Sequence, residues 1–274
     1  MKGKHNIIYG KYIKVWQHNR YFNHISEMLL HYYDTSEYDN TLFILGSYIN
    51  YKKDFFQKIF PNSKIIVYQL EQLMRTKKPW NSVPQIINNL KSYDIIWDMD
   101  HLNKEYLEKY KNIEVQKVQP FLYTPSLKNE NIDNENCDID VLFYGFVNER
   151  RSEILLDIQK KLYNTNINLV TLFGNNDKML DDFINRSKII LNIHAHEPWH
   201  RQEQPRIFYP LINNKLIVSE ISQYTYFRNA IIEGHKASLA GYIINLVKNN
   251  KWKNMAERNA KIFKEGKNEE FRHW

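Results

Sequence analysis

Residues 138–151 read Asp138-Ile-Asp-Val-Leu-Phe-Tyr-Gly145-Phe-Val-Asn-Glu-Arg-Arg151. Four apolar residues, Val141 to Tyr144, end in Gly145, and a polar, doubly basic segment follows. The same punctuation recurs downstream. Leu169-Val-Thr-Leu-Phe-Gly174 stops at a glycine, and Lys188-Ile-Ile-Leu-Asn-Ile-His194-Ala-His196-Glu197 runs into two histidines. Glu203-Gln-Pro-Arg206 then precedes Leu216-Ile-Val-Ser-Glu220. Short apolar runs bounded by turn residues and spaced by helical patterns point to βαβ units and a parallel sheet. In such sheets ligands bind outside the carboxyl ends of the strands. The residues at those ends are here polar or charged, which suits an anionic, hydroxyl-rich ligand.

Working outward, the alternation continues on both sides. Before the quoted stretch, the pattern predicts a strand or hairpin over 6–15, a helix over 20–33, a strand over 41–46 and a helix over 53–60. A strand over 64–69, a helix over 84–92, a strand over 93–97, a helix over 102–110 and a strand over 114–118 follow. Residues 128–138 break the rhythm, being Asn-rich and nearly free of large apolar side chains. They read as a linker. After it come a strand over 141–144, a helix over 151–163, a strand over 168–173 and a helix over 178–186. A strand over 188–193, a helix over 204–212, a strand over 215–219 and closing helices over 237–248 and 251–264 complete the chain. The fold class expected is α/β, with a Rossmann-like domain over 1–127 and a second over 138–274, facing a cleft.

The chain of 274 residues carries a formal charge of +7, which favours anionic partners, although its lysines are spread rather than blocked. Its one cysteine, Cys137, allows no internal disulfide and no cysteine-based zinc site. No apolar run has the length of a membrane span, and the first residues lack the apolar core of a signal peptide. A cytoplasmic protein is expected. Dinucleotide-fold glycine fingerprints, Walker loops and nucleophile elbows are missing, so dehydrogenase, P-loop and α/β-hydrolase readings lose support.

Several residues can carry chemistry. Gly145, Asn148, Arg150 and Arg151 flank a helix start, where free amides and guanidinium groups bind phosphate. Read alone, a tight turn with solvated arginines gives the same residues. His194 and His196 alternate at a strand end and can share a face. With Glu197 and His200 they could hold a metal, but contacts to a diphosphate or to hydroxyls fit better, and no metal is expected. Glu203 and Arg206 are one helical turn apart, and Glu220 ends the next strand. A carboxylate accepts hydroxyl protons and Arg206 can bind phosphate. In the first half, Glu71, Asp98 and Asp100 sit at strand ends. Glu71 and Asp98 are candidate general bases, with His18 third, whereas Asp100 fits a helix cap.

These residues carry a resemblance. Val141 to Gly145, Asn148 to Arg151, Leu172 to Gly174, 187–194, Glu203, Arg206 and Val218 to Glu220 resemble the nucleotide-binding domain of GT-B glycosyltransferases. The likeness is to the small "glycosyltransferase family 1-like" proteins of bacteria, phages and large DNA viruses. Residues 65–72 and 93–98 are similar to the first half of such proteins. The resemblance implies transfer of a sugar from a nucleotide-sugar, a uridine diphosphate sugar, to an acceptor hydroxyl, with no cofactor required. The acceptor would be a glycan, a protein or a hydroxylated DNA base, the last making this a DNA-modification enzyme of a virus or phage in the host cytoplasm. It implies a donor held by the second domain through Gly145, Asn148, Arg150, Arg151, His194, His196, Glu203, Arg206 and Glu220. Arg150 would face the diphosphate and Glu220 the ribose. One departure is plain: many retaining relatives carry a second glutamate eight positions on, where Glu203 is followed by Leu211. Three other readings stand beside this one: a metal-dependent GT-A-type transferase using Asp98 and Asp100, a non-catalytic nucleotide- or sugar-binding module, and a histidine-metal hydrolase built on His194, His196 and His200.

Overall fold

A parallel strand covered on both faces needs a nearly continuous apolar run, and Thr41–Leu45 and Ile139–Tyr144 are buried at every position. Each lies inside its own sheet. The computed structural model describes residues 6–17, 22–46, 52–73, 83–130, 132, 134, 136–173, 177–196, 202–222, 226–227 and 229–270. The chain divides into two units, Met1–Phe121 and Leu122–Trp274.

In the first unit, β1 (Asn6–Tyr9) and β2 (Ile13–Gln17) form an antiparallel hairpin. Then α1 (Asn23–Tyr33), β3 (Thr41–Leu45), α2 (Lys53–Ile59), β4 (Lys64–Gln69) and α3 (Val83–Leu90) follow in turn. β5 (Ile96–Asp98), α4 (His101–Lys111) and β6 (Lys117–Val118) complete the unit. The sheet order is β1-β2-β3-β4-β5-β6, with β2 to β6 parallel. Among the described residues this order never reverses. One face packs Leu42, Ile44, Val67 and Ile96 against Phe56, Ile86, Leu90 and Leu107. On the other, Tyr33, Phe43 and Trp97 meet edge-on or tilted, with Tyr33 and Trp97 centroids 4.9 Å apart. Lys117 sets its ammonium 4.4 Å from the Tyr33 ring and 4.5 Å from that of Trp97, and burial lowers its pKa.

The hairpin is fastened by one carboxylate. Asp34, just past α1, accepts hydrogen bonds from the backbone N–H groups of Lys11 (2.7 Å), Tyr12 (2.6 Å) and Ile13 (3.0 Å). Gly10 makes this approach possible, because a Cβ there would lie 2.6 Å from the Asp34 carboxyl.

In the second unit, β7 (Ile139–Tyr144), α5 (Glu149–Leu162), β8 (Leu169–Leu172), α6 (Asp177–Asn185) and β9 (Ser187–Asn192) come first. They are followed by α7 (Gln204–Ile212), β10 (Leu216–Glu220), β11 (Ile232–Gly234), α8 (Leu239–Lys248) and α9 (Trp252–Glu270). All strands are parallel, in the order β11-β10-β9-β7-β8. From β7 the chain crosses to β8 on one side, then returns past β7 to build β9, β10 and β11 on the other. That is the doubly wound order with its switch point between the first and third strands. Val141, Phe143, Ile189, Leu191, Leu216 and Val218 pack under α5 and α8, while α6 and α7 lie against the sheet through β7, β9 and β10.

The strands and helices fall where the pattern places them, to within a few residues, with two differences. β11 was not anticipated, because Ile232-Glu-Gly234 is too short and polar to read as a strand. The Asn-rich stretch expected as a linker is tied into the second unit. Asn213 donates to the Leu127 carbonyl and accepts from the Asn129 N–H (2.8 Å), and the buried Lys215 ammonium reaches Asn134 at 2.7 Å. Asparagine also does much of the work of helix and turn termination. Among the described residues, Asn40, Asn112, Asn166, Asn214, Asn229 and Asn250 adopt the left-handed conformation that asparagine tolerates better than most residues.

Burial pushes the Asp34 pKa up, but the three backbone N–H groups and nearby Lys11 outweigh it, so the carboxyl titrates below its ordinary value of 3.8. A depressed folded-state pKa gives stability that is present above the unfolded value and lost as pH falls through the folded one. Asp34→Asn should therefore cost roughly 1–2 kcal/mol at neutral pH, read by urea denaturation. The gap from the unmodified protein should close as pH drops below about 3.8; a gap that persists there would show that the charge contributes nothing.

Candidate functional site

The reversal in strand order places the carboxyl ends of β7 and β9 side by side without a crossover connection covering them. The polar residues singled out in the sequence gather there. β7 leads into Gly145, which has φ of +125°, a region that favours glycine. Asn148 caps α5 by accepting from the Arg151 N–H (3.0 Å) and donates its side-chain amide to the Ala195 carbonyl (2.6 Å). One residue thus ties the helix start to the end of β9.

The adjacent arginines at the start of α5 point to different partners. Arg150 forks onto Glu220 at the end of β10: Nη1 donates to Oε2 at 3.0 Å and Nη2 to Oε1, while Nη1 also reaches the His194 carbonyl at 2.7 Å. Arg151, 3% exposed, donates through Nη2 to Glu203 Oε1 (2.6 Å), through Nε to the Ile193 carbonyl and through Nη1 to the Phe146 carbonyl. Glu203, immediately before α7, also pairs through Oε2 with Nη1 of Arg206 in the first turn of that helix. The two guanidinium groups share one carboxylate and both lie within 6 Å of the Phe143 ring, Arg151 at 5.7 Å and Arg206 at 5.8 Å.

Arg206 is the member of the cluster with donors to spare. Its Nη1 bonds Glu203 and, at 2.9 Å, Asn192 Oδ1. Among the described residues, no further hydrogen bond engages its Nε or Nη2. Its Nη2 lies beside Gly145, where a Cβ would come within 2.8 Å. Gly145 therefore lets the guanidinium pack directly against this turn, where any side chain would collide with it. Tyr144 donates its hydroxyl to the Arg206 carbonyl, fixing the first turn of α7.

His194 is buried, with its backbone N–H donating to Glu220 Oε2 (3.0 Å) and Nε2 3.2 Å from both the Ile221 carbonyl and the Ser222 hydroxyl. Burial lowers its pKa against the opposing pull of Glu203 and Glu220, so the ring is neutral at neutral pH. Three guanidinium groups (Arg150, Arg151, Arg206) and two carboxylates (Glu203, Glu220) leave a net charge of +1 in a largely buried cluster. Such a centre attracts an anion, and the unused Arg206 donors can clamp one with directional hydrogen bonds.

The expected shared face for His194 and His196 is not found. β9 ends at Asn192, so both histidines have left the strand register; His194 is buried and His196 half-buried. Glu197, His200 and His18 lie outside the described residues. No group of three metal-ligating side chains occurs among the described residues. Asp100 caps α4, accepting from the N–H groups of Leu102 and Asn103. Asp98 is 0% exposed and accepts from the Asp100 N–H (2.9 Å) and the Asn103 amide (3.0 Å). Both carboxylates thus organise their own loop. Glu71 follows β4 with its side chain half-buried. Its backbone is held on two sides, by Gln69 and by the amide of Asn103, which donates to the Glu71 carbonyl at 2.7 Å.

Asn192, Asn103 and Gln69 are the supporting residues that sequence reading passed over. A detectable signal existed for Asn192: it is polar inside the apolar run Ile189-Ile-Leu-Asn-Ile193, and a buried amide needs a partner. That partner set is Arg206 and, at 3.0 Å, Ser219.

No protein-family model matches the sequence, and none of the curated proteins does. Solved structures do share the architecture. TarM superimposes with a TM-score of 0.52 at 12% identity, over 86% of this chain and 54% of TarM, so the chain spans about half of that protein's length. HepE of Anabaena, determined in complex with UDP and glucose, also gives a TM-score of 0.52, at 10% identity over 81% of this chain and 72% of HepE. The fold is of the GT-B type. The GT-A alternative built on Asp98 and Asp100 is set aside with it, since the fold differs and both carboxylates serve local structure. No helix among the described residues is long and apolar enough to cross a membrane.

Replacing Gly145 tests how much the close approach of Arg206 to this turn matters. Gly145→Ala must hold a strained φ and press a methyl against a guanidinium pinned by Glu203 and Asn192. Chemical denaturation should show a loss of about 1–3 kcal/mol. An unchanged unfolding midpoint would contradict the conformation described for this turn.

Proposed function

We propose that the protein is a glycosyltransferase that moves a sugar from a uridine diphosphate sugar to an acceptor hydroxyl. The observation that carries this reading is the net-positive cluster at the β7–β9 switch point, with Arg206 offering unused donors beside Gly145. A nucleoside diphosphate is the leaving group in such a transfer. As the bond from the anomeric carbon to the phosphate oxygen breaks, negative charge grows on the diphosphate. Fixed donors that meet that charge lower the barrier. In this reading Arg206 supplies them and Glu203, held between Arg151 and Arg206, keeps Arg206 in place. Glu220 is acceptor-only when ionised and accepts hydrogen bonds from hydroxyls of the donor. With guanidinium groups serving the leaving group, no metal is required. HepE was determined with UDP and glucose, which agrees with a donor of this class.

Transfer also needs a group to take the proton of the attacking hydroxyl. We assign Glu71 that role in preference to Asp98. Its side chain is half-buried rather than sealed, and its loop is braced by Gln69 and Asn103. The acceptor is a hydroxyl on a glycan, a protein or a hydroxylated DNA base.

A thermal-shift screen across nucleotide-sugars tests the donor half, because a ligand bound only by the folded state raises the melting temperature by mass action. Uridine diphosphate sugars should stabilise the protein, and Arg206→Ala should lose that shift while still melting cooperatively. An Arg206→Ala variant with the full shift would remove the donor site from this position. Stabilisation with no sugar transfer or donor hydrolysis at high protein concentration would favour a binding module instead.

A further inference from the structure

The neighbouring arginines at the start of α5 look interchangeable in sequence, and either could be set against a diphosphate. Their surroundings differ from that picture. Both terminal nitrogens of Arg150 are engaged by protein acceptors, the two Glu220 oxygens and the His194 carbonyl. The pair spans 70 positions of sequence and its side chains are 17% and 9% exposed. Arg–carboxylate forks of this kind fix direction as well as charge. The Glu220 carboxylate also accepts the His194 N–H at 3.0 Å. Of its roughly four lone-pair sites, three then face inward donors, and the remaining capacity is aimed by the other three.

We propose that Arg150 is a positioning residue: it orients Glu220 to accept a hydroxyl of the donor and does not itself bind the diphosphate. This rests on the function proposed above and redistributes the work within that site. Arg206 meets the anion, Arg151 and Glu203 hold Arg206, and Arg150 holds Glu220. A lysine at position 150 would keep the charge but could not reproduce two parallel hydrogen bonds to one carboxylate.

A double-mutant cycle separates the two roles. UDP affinity is measured by calorimetry for the unmodified protein, Arg150→Gln, Glu220→Gln and the double variant, with inorganic pyrophosphate as a second probe. If Arg150 acts through Glu220, each single change should weaken UDP binding about tenfold. The double variant should be no weaker than the worse single one, because one interaction is lost once. Arg150→Lys should likewise weaken UDP about tenfold yet hold pyrophosphate affinity within about threefold. Where Arg150→Gln does not fold, Arg150→Lys alone and with Glu220→Gln carries the same cycle. Losses that multiply in the double variant, or an Arg150→Lys variant that loses pyrophosphate as steeply as UDP, would overturn the assignment and leave the donor site standing. A wild-type protein that binds neither UDP nor pyrophosphate would overturn both. A merely structural defect would lower both ligands together, and Arg150→Lys exposes that case.

Discussion

Between β7 and β9 the chain changes its direction of travel across the second sheet, and the ends of these two neighbouring strands are left without a crossover above them. Loops on either side diverge at such a point, and here the residues that gather at it are charged. Asn148 fixes the α5 start to the segment after β9, and α5 then delivers Arg150 and Arg151 at successive positions to two different carboxylates, Glu220 and Glu203. α7 delivers Arg206 from its first turn. Each ion is costly to bury alone, but paired and hydrogen-bonded ions can be accommodated. The arrangement leaves one positive charge in excess and one guanidinium with donors in reserve. The described strands of the first sheet run in simple sequential order, without such a reversal.

Much of this was legible in the sequence. Apolar runs followed by Gly145, His194 and Glu220 marked the strands, and the polar residues after them do gather at one place in the second sheet. Arg206 could be picked out with Glu203 because the two lie one helical turn apart, and that pair is observed. Asp100 was readable as a helix cap from its place before α4, and the cap is observed. These features are local, and local patterns travel with the sequence.

What could not be read was long-range pairing. Arg150 was expected to face a diphosphate, and nothing nearby in sequence says that its fork meets Glu220, since that depends on which strands become neighbours. Asn192 serves Arg206 across the sheet surface in the same way. The Asn-rich stretch before β7 read as a linker because its composition is polar. Asn129 and Asn134 within it are bonded by Asn213 and Lys215, which lie more than 75 positions away. The shared face suggested for His194 and His196 loses its basis for a different reason. Alternation implies a shared face only while the strand continues, and β9 stops before either of them.

The central claim is that the switch point between β7 and β9 receives the diphosphate of a nucleotide donor. A crystal structure of the protein grown with UDP tests it most directly. Diphosphate density is expected within hydrogen-bonding distance of Arg206 Nη2 or Nε beside Gly145, with the Arg150–Glu220 fork intact. Diphosphate density on the carboxyl ends of the first sheet, or a UDP that displaces Glu220 from Arg150 to take the guanidinium for itself, would contradict it.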